Sequence, residues 1–232
     1  LKDYAMEILP KLGFHEENEI KLFFMSVGNK CLTEILKTKN NSIWVGKMKT
    51  LSLFDNEIKI LPKLRIHGEN VMESLNLYAD KPKHIAEILK MENKSIWVGK
   101  VKKVSLHSYA LEILPKLGIH KENVMDVFSL NTGKTKHITG ILKTKKKSIW
   151  IGKVKKLVLR KHAVEILPKL GIHKENVMDV FSLNTGKTEH ITGILKTKKK
   201  SIWIGKVKKL RLGGDAKTIK DRLDFTLIPR SE

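Results

Sequence analysis

The nine histidines and the single cysteine are the residues whose chemistry would suit a metal ion or a nucleophilic reaction. His15, His67, His120 and His173 recur at one position of a repeated module, two strand layers and so about 10 Å apart. Zinc needs its ligands within about 2.1 Å, so this series cannot share an ion. Cys31 has no second cysteine and no partner residue that the sequence points to. We therefore expect turn histidines, no metal site, no cofactor and no enzymatic activity.

A five-residue word, Asn-Thr-Gly-Lys-Thr, occurs at Asn131–Thr135 and again at Asn184–Thr188. It resembles the end of a phosphate-binding loop. Such a loop also needs a glycine five residues before its last glycine, so that the backbone can wrap a phosphate. Phe128 and Phe181 stand at that position. We therefore expect a turn with a helix cap here and no nucleotide site.

The four tryptophans could stack the bases of single-stranded nucleic acid, as aromatic side chains do in proteins that bind it. They occur at positions 44, 97, 150 and 203, each flanked by Ile on one side and by Val or Ile on the other. Apolar flanks of this kind are typical of buried positions. We therefore expect the tryptophans in the core or in the convex wall, which leaves the lysines without interleaved aromatic side chains.

The tryptophans also mark a module that repeats every 53 residues. Segments Glu112–Leu159 and Glu165–Leu212 are two copies that are nearly identical. They differ at two positions, Lys136/Glu189 and Val158/Arg211. This near-identity indicates a recent duplication of a module that already worked.

Each module contains two strand patterns, exemplified by Val154–Leu159 and Met178–Leu183, with apolar residues at positions 1, 4 and 6. The patterns alternate between a short unit of about 24 residues and a long unit of about 29. A connection that returns to the same edge makes neighbouring strands parallel, and stacking closes a continuous core. The eight patterns start at Ile20, Met48, Met72, Val101, Met125, Val154, Met178 and Val207.

The strand word L-x-x-L-x-L at a period in the twenties resembles the leucine-rich repeat. Val164, Leu167 and Pro168 follow one short strand in a pattern similar to the family's L-x-x-L-P. Asn56 and Asp215 stand at position 9, where the family prefers an Asn whose side chain bonds the turn backbone. The resemblance implies an α/β solenoid, a horseshoe with a parallel concave β-sheet and short helices or 3₁₀ turns on the convex side.

This architecture assigns the rest of the chain. Residues 1–212 form the repeat array, and 213–232 form a C-terminal cap with apolar and charged residues on different sides. After the short strands, Ala163–Leu170 is expected to be a short helix or 3₁₀ turn limited by its proline. After the long strands, His190–Lys196 has helical spacing, and Thr185 or Thr188 is expected to cap it.

The net charge of +22 will attract acidic proteins, nucleic acid or anionic lipid. Position 2 of successive strands alternates in sign from Lys49 onward, and each lateral pair contributes about 0.2–1 kcal/mol. The charged side chains on the sheet therefore either stabilise the pairing of neighbouring strands or bind a partner. Two further lysine runs, 143–147 and 196–200, are interpreted as solvated surface.

Side-chain alternation places positions 2, 3, 5, 7 and 8 of each pattern on or beside the open face of the sheet. Lysines and arginines dominate its C-terminal half, over a polar background that includes Ser129, Asn131, Thr132, Ser182, Asn184 and Thr185. We predict a non-enzymatic protein-interaction scaffold that binds an acidic partner there. The predicted contacts are Lys102, Lys103, Lys155, Lys156, Arg160, Lys208, Lys209 and Arg211, with Phe54 and Tyr78 as apolar anchors.

Two alternatives remain open. The same charge would suit nucleic acid or an anionic lipid surface, and rapid copying of modules is typical of a pathogen effector or surface protein. The single cysteine slightly favours an intracellular location. The chain starts at Leu1 in mid-unit, so we expect sequence before it, and secretion is not excluded.

Overall fold

The computed structural model describes residues 9–11, 18–24 and 32–229. The strands in these ranges are β1 (Glu19–Ile20), β2 (Phe23–Phe24), β3 (Ile43–Met48), β4 (Thr50–Phe54), β5 (Leu64–Ile66), β6 (Val71–Ala79), β7 (Ile96–Ser108), β8 (Leu117–Ile119), β9 (Val124–Thr132), β10 (Ile149–Lys161), β11 (Leu170–Ile172), β12 (Val177–Met178), β13 (Val180–Thr185), β14 (Ile202–Val207), β15 (Leu210–Gly214) and β16 (Leu223–Leu227). The α-helices are α1 (Thr33–Lys37), α2 (Ala86–Leu89), α3 (Thr139–Lys143) and α4 (Thr192–Leu195). Segments of 3₁₀ helix are Leu9–Lys11, Asp55–Lys63, Pro82–His84, Tyr109–Lys116, Thr135–His137, His162–Lys169, Thr188–Ile191 and Asp215–Arg222.

The largest sheet runs β2-β4-β6-β7-β9-β10-β13-β15, so its strands follow one another in chain order. Every strand pair of the described ranges is parallel, which confirms the predicted α/β class with parallel sheets. Positions 4 and 5 of all eight strand patterns lie in these eight strands. Each connection leaves the sheet and returns one strand further along.

The long strands β7 and β10 belong to two sheets at once. Their C-terminal halves lie in the largest sheet, and their N-terminal halves pair with the short strands β8 and β11. Gly152 makes the bulge between the halves of β10 with a φ of +73°. A Cβ there would lie 2.9 Å from the backbone oxygen of Asn123, so both the dihedral and the close approach require glycine.

The core lies between the largest sheet and the 3₁₀ and α segments, which we call the helical side. Most of the described apolar residues at positions 1, 4 and 6 are buried, with Phe128 and Phe181 among the largest fully buried side chains, whereas Ile20, Leu210 and Leu212 in the end patterns are half-buried. Position 8 points the same way, because positions 4, 6 and 8 of a strand share a face. Thr132 and Thr185 are therefore buried, and their predicted place on the open face was wrong.

On the helical side, the structure contains the 3₁₀ segment that the sequence predicted, but it lacks the predicted helix cap. The segment predicted over Ala163–Leu170 is the 3₁₀ helix His162–Lys169. The region predicted as one helix from His190 is a 3₁₀ turn followed by α4. Neither begins with a side-chain cap, so the predicted threonine cap was wrong. Thr185 is buried, and the Thr188 hydroxyl donates to Asp215 Oδ2 at 2.6 Å.

A series of buried asparagines, which we call the asparagine ladder, links consecutive turns of the chain, and we call each such turn a coil. Asn123 is 3% exposed, and its Oδ1 accepts from Val101 N at 2.9 Å while its Nδ2 donates to Val101 O at 3.0 Å. Asn70 and Asn176 make the same two bonds with the first residue of their own preceding short-unit pattern. Asn56, for which the resemblance implied a bond to the turn backbone, accepts a hydrogen bond from Lys59 Nζ through its Oδ1, and its bond to the backbone stays a prediction.

The C-terminal segment repeats the local geometry of the coils before it. Leu223 pairs with Ile202 as Leu170 pairs with Ile149. Ile219 and Leu223 are buried, whereas Leu227 is 58% exposed. The boundary at 212 and 213 stays a prediction. In the described part of the chain, no helix has the length and apolar character to cross a membrane.

Candidate binding face of the largest sheet

Positions 3, 5 and 7 of the patterns form three rows across the open face, which is the side of the largest sheet opposite the core. The strand register brings the members of each row side by side. The first row is Thr50, Ser74, Lys103, Val127, Lys156 and Val180, and Lys209 stands just before β15. The middle row is Phe24, Ser52, Asn76, Ser105, Ser129, Val158, Ser182 and Arg211, and the third is Phe54, Tyr78, His107, Asn131, Arg160, Asn184 and Gly213.

Position 2 carries the lateral ion pairs that the alternating signs predict. Three of the predicted contact lysines are in them, at 2.6, 2.8 and 3.0 Å: Lys102–Glu73, Lys155–Asp126 and Lys208–Asp179. The hydrogen bond from Lys102 lowers the pKa of Glu73, and the bond from Lys155 lowers that of Asp126. The bond to Asp126 in turn raises the pKa of Lys155. These lysines are engaged within the sheet.

The other positively charged residues predicted as contacts differ from these lysines in their pairing, and the sequence did not show this difference. None forms an ion pair with any residue that the structure describes. Those in the first row recur on every second strand, about 10 Å apart. We call them the free cations: Lys103, Lys156, Arg160, Lys209 and Arg211.

A floor of hydroxyl and amide groups lies toward the N-terminal strands. Asn76 Nδ2 donates to Ser52 Oγ at 3.0 Å, and Ser74 Oγ bonds Asn76 Oδ1 at 3.2 Å. Ser105 Oγ and His107 Nε2 are 3.0 Å apart. Burial, and then the charge of Arg160, lowers the pKa of His107 below its ordinary value, so the ring is neutral at neutral pH. The positive charge of the face therefore comes from lysine and arginine.

The predicted apolar anchors lie at the N-terminal end of the face. Phe54 and Tyr78 are neighbours in the third row, and Phe54 is 40% exposed. Phe24 packs edge-on against Phe54 with ring centroids 5.9 Å apart, and it is itself 46% exposed. The aromatic rings lie on β2, β4 and β6, whereas the free cations lie on or beside β7, β10 and β15, so the face has an aromatic end and a cationic end.

The tryptophans lie outside this face and none is fully buried, so of the two predicted locations the core was wrong, and the convex wall stays a prediction. Their flanking Ile and Val residues point inward, and the alternation of the strand turns each indole outward. Trp97 is 39% exposed and packs edge-on against His120 at 6.1 Å. Equivalent contacts join Trp44 to His67 and Trp150 to His173.

The histidines of this series are turn residues, as predicted. His67 Nδ1 accepts from Glu69 N at 3.1 Å, and His120 and His173 make the equivalent bonds. His15 and Cys31 lie outside the described residues.

A second histidine series, which was not predicted from the sequence, is buried near the C-terminal ends of the strands. His84, His137 and His190 are 3 to 7% exposed. His137 packs on Tyr109 with ring centroids 4.2 Å apart, and His190 packs on His162 at 4.4 Å. The signal that would have found them is their fixed place, five residues after position 8 of the long units that start at Met72, Met125 and Met178.

The lysine runs lie away from the open face, between the α-helices and the tryptophan strands. Lys145, Lys146 and Lys198 are exposed, and Lys147 Nζ lies 5.9 Å from the ring centroid of Trp203. Because these lysines lie outside the candidate face, they can serve as a control for its charge. Their interpretation as solvated surface stays a prediction.

Comparison of the chain with protein-family models, with curated proteins and with solved structures gives no match.

Proposed function

We propose that the chain is a leucine-rich-repeat protein that binds an acidic surface of another protein on its open face and catalyses no reaction. In this proposal the eight-stranded sheet is the concave side of a horseshoe. The proposal is supported by the repeated strand word, by the parallel strands in chain order and by the turns on the helical side. The single observation that carries the binding function is the set of free cations on one face.

The spacing of the free cations favours a macromolecule over a small anion. Lys103, Lys156 and Lys209 stand on every second strand, so the row spans about 20 Å. A small carboxylate or phosphate reaches one of them at ion-pair distance. A partner that engages the row needs several acidic groups held at a similar spacing. Complementary charge of this kind speeds association and selects the partner.

The distribution of aromatic side chains favours a protein over nucleic acid. Single-strand binders place aromatic rings among their basic residues, so that bases stack while the phosphates are neutralised. Here the rings of Phe24, Phe54 and Tyr78 lie at the opposite end of the face from Arg160 and Arg211. An acidic protein with an exposed apolar patch would engage both ends.

Removing the free lysines should weaken binding at least about tenfold. The test variant is Lys103→Gln/Lys156→Gln/Lys209→Gln, which removes three positive charges and breaks no ion pair of the described residues. Each tenfold loss corresponds to about 1.4 kcal/mol, a modest demand on three interfacial charges. The measurement is the affinity for the partner captured on wild-type protein and identified by mass spectrometry, at about 50 and about 200 mM salt.

The matched control is Lys145→Gln/Lys146→Gln/Lys198→Gln, which lowers the net charge equally but leaves the open face intact. We expect it to bind as the wild type does. Equal weakening by both variants, with affinity that collapses between the two salt concentrations, would instead support attraction of nucleic acid or anionic lipid by overall charge.

A further inference from the structure

Two differences between the last two modules lie on the helical side next to the buried histidine series: Lys136/Glu189 and, just before the nearly identical segments, Tyr109/His162. In the earlier copy, His137 is preceded by Lys136 and packs on Tyr109. In the later copy, His190 is preceded by Glu189 and packs on His162. The phenol of Tyr109 is thus replaced by the imidazole of His162, and the ammonium group of Lys136 is replaced by the carboxylate of Glu189.

These replacements bring three metal-ligating side chains together. One nitrogen each from His162 and His190 and one oxygen of Glu189 all lie within 4.8 Å of one another. His190 Nε2 and Glu189 Oε1 are 3.8 Å apart. The imidazole rings meet at 65°, with centroids 4.4 Å apart. Both rings are buried, at 6 and 7% exposure, whereas Glu189 is exposed and free to move toward them.

A second observation at the same place is a pair of buried polar atoms that lack partners. His190 Nδ1 and Thr185 Oγ1 make no hydrogen bond within the described ranges. In the earlier copy the equivalent atoms, His137 Nδ1 and Thr132 Oγ1, are bonded at 2.8 Å. The His190 ring is therefore not held by the bond that fixes its counterpart, although the residue that makes the bond is present.

We propose that His162, Glu189 and His190 bind a divalent transition-metal ion, with zinc as the best fit. Two imidazoles and one carboxylate are a donor set that zinc takes, with a fourth position left for water. Ligand atoms about 2.0 to 2.1 Å from zinc in a tetrahedral arrangement lie about 3.3 Å from one another. Rotation of Glu189, with a small shift of His190, closes the present separations to that value.

The groups around the site are arranged to support the ion. Thr135 Oγ1 lies 3.1 Å from His162 Nδ1, which leaves His162 Nε2 to face the ion. Thr185 would do the same for His190 Nδ1, since an outer partner commonly fixes the ring of a ligating histidine. Lys187 Nζ, 3.7 Å from Glu189 Oε1, is exposed and would move aside.

Another trio on the same side, Asp55, Asp80 and His84, does not require a metal. His84 Nδ1 lies 3.3 Å from a carboxylate oxygen of Asp55 and 3.1 Å from one of Asp80, and this trio offers one imidazole where the proposed site offers two. Asp55 Oδ1 also accepts from Asp80 N at 2.8 Å. This trio serves as the internal comparison in the test.

The test is zinc binding by the metal-stripped, tag-free full chain, followed by competition with a chromogenic zinc chelator. We expect one zinc ion per chain. Glu189→Lys and His162→Tyr each install the residue of the earlier copy, and each should lower the affinity more than about tenfold, since even outer partners cost that much. Glu175→Lys makes the same charge change at an exposed glutamate and should bind zinc as the wild type does.

Thermal unfolding of the same proteins separates a lost ligand from a lost fold. Without metal, Glu189→Lys should melt as the wild type does, and zinc should raise the melting temperature of the wild type and of Glu175→Lys but not that of Glu189→Lys. The proposal is overturned if the wild type takes up no zinc or if Glu189→Lys binds it equally well. It is also overturned if Asp80→Asn, and not Glu189→Lys, abolishes uptake.

Discussion

Asn123→Ala should destabilise the protein by about 2–6 kcal/mol. The substitution leaves the N–H and the C=O of Val101 buried without their side-chain partner. Each unsatisfied buried group costs about 1–3 kcal/mol. A domain of this size has a total stability of about 5–15 kcal/mol, so the loss is a large share of it. The measurement is equilibrium unfolding in urea, with amide exchange at Val101 as the local readout.

The matched control is Asn93→Ala, at an exposed asparagine before strand β7. It should change the stability by no more than about 0.5 kcal/mol, as surface substitutions usually do. If the two variants unfold at the same urea concentration, the asparagine ladder does not stabilise the stack. The chain provides two repeats of the test, because Asn70 and Asn176 make the same bonds.

Phe128→Ala should cost about 3–5 kcal/mol. Phe128 is fully buried and lies in register between Val104 and Leu157, so alanine leaves a void between two coils. Such voids cost this much when the surroundings cannot collapse. The neighbouring coils are fixed by backbone bonds on both sides, which restricts collapse here. Urea unfolding gives the value.

Phe128→Leu is the graded comparison, because Leu157 occupies the same row one strand away. It should cost less than half as much as alanine, since leucine fills much of the space. Equal losses for the two variants would show that the ring is not packed between the coils as described.

The periodic part of the fold was predictable from the sequence because it depends on apolar spacing alone. Residues at positions 1, 4 and 6 face the core in the inner repeat units, so eight weak patterns in one register indicated one parallel sheet. The tryptophans were misplaced because apolar flanks were taken as evidence for burial of the residue between them. In a strand the alternation implies the reverse, and Trp97 lies outward between Ile96 and Val98.

The candidate site was predictable as a face but not as a set of free charges. Alternating signs indicated lateral pairs, yet the sequence cannot tell which of two adjacent lysines reaches a carboxylate. The strand geometry decides this: Lys155 bonds Asp126, whereas Lys156 does not. The asparagine ladder and the His162–His190 contact were missed for a similar reason. Each of these contacts is between residues more than 20 positions apart in the chain. They meet because the backbone brings them together, which no local sequence pattern indicates.

The most direct test of the binding face is lysine footprinting by acetylation and mass spectrometry, with and without the captured partner. Val158 and Arg211 distinguish the peptides of the two copies, so Lys156 and Lys209 can be read separately. The account predicts protection of Lys103, Lys156 and Lys209 in the complex, with Lys145, Lys146 and Lys198 labelled as in the free protein. Protection confined to the second set would contradict it.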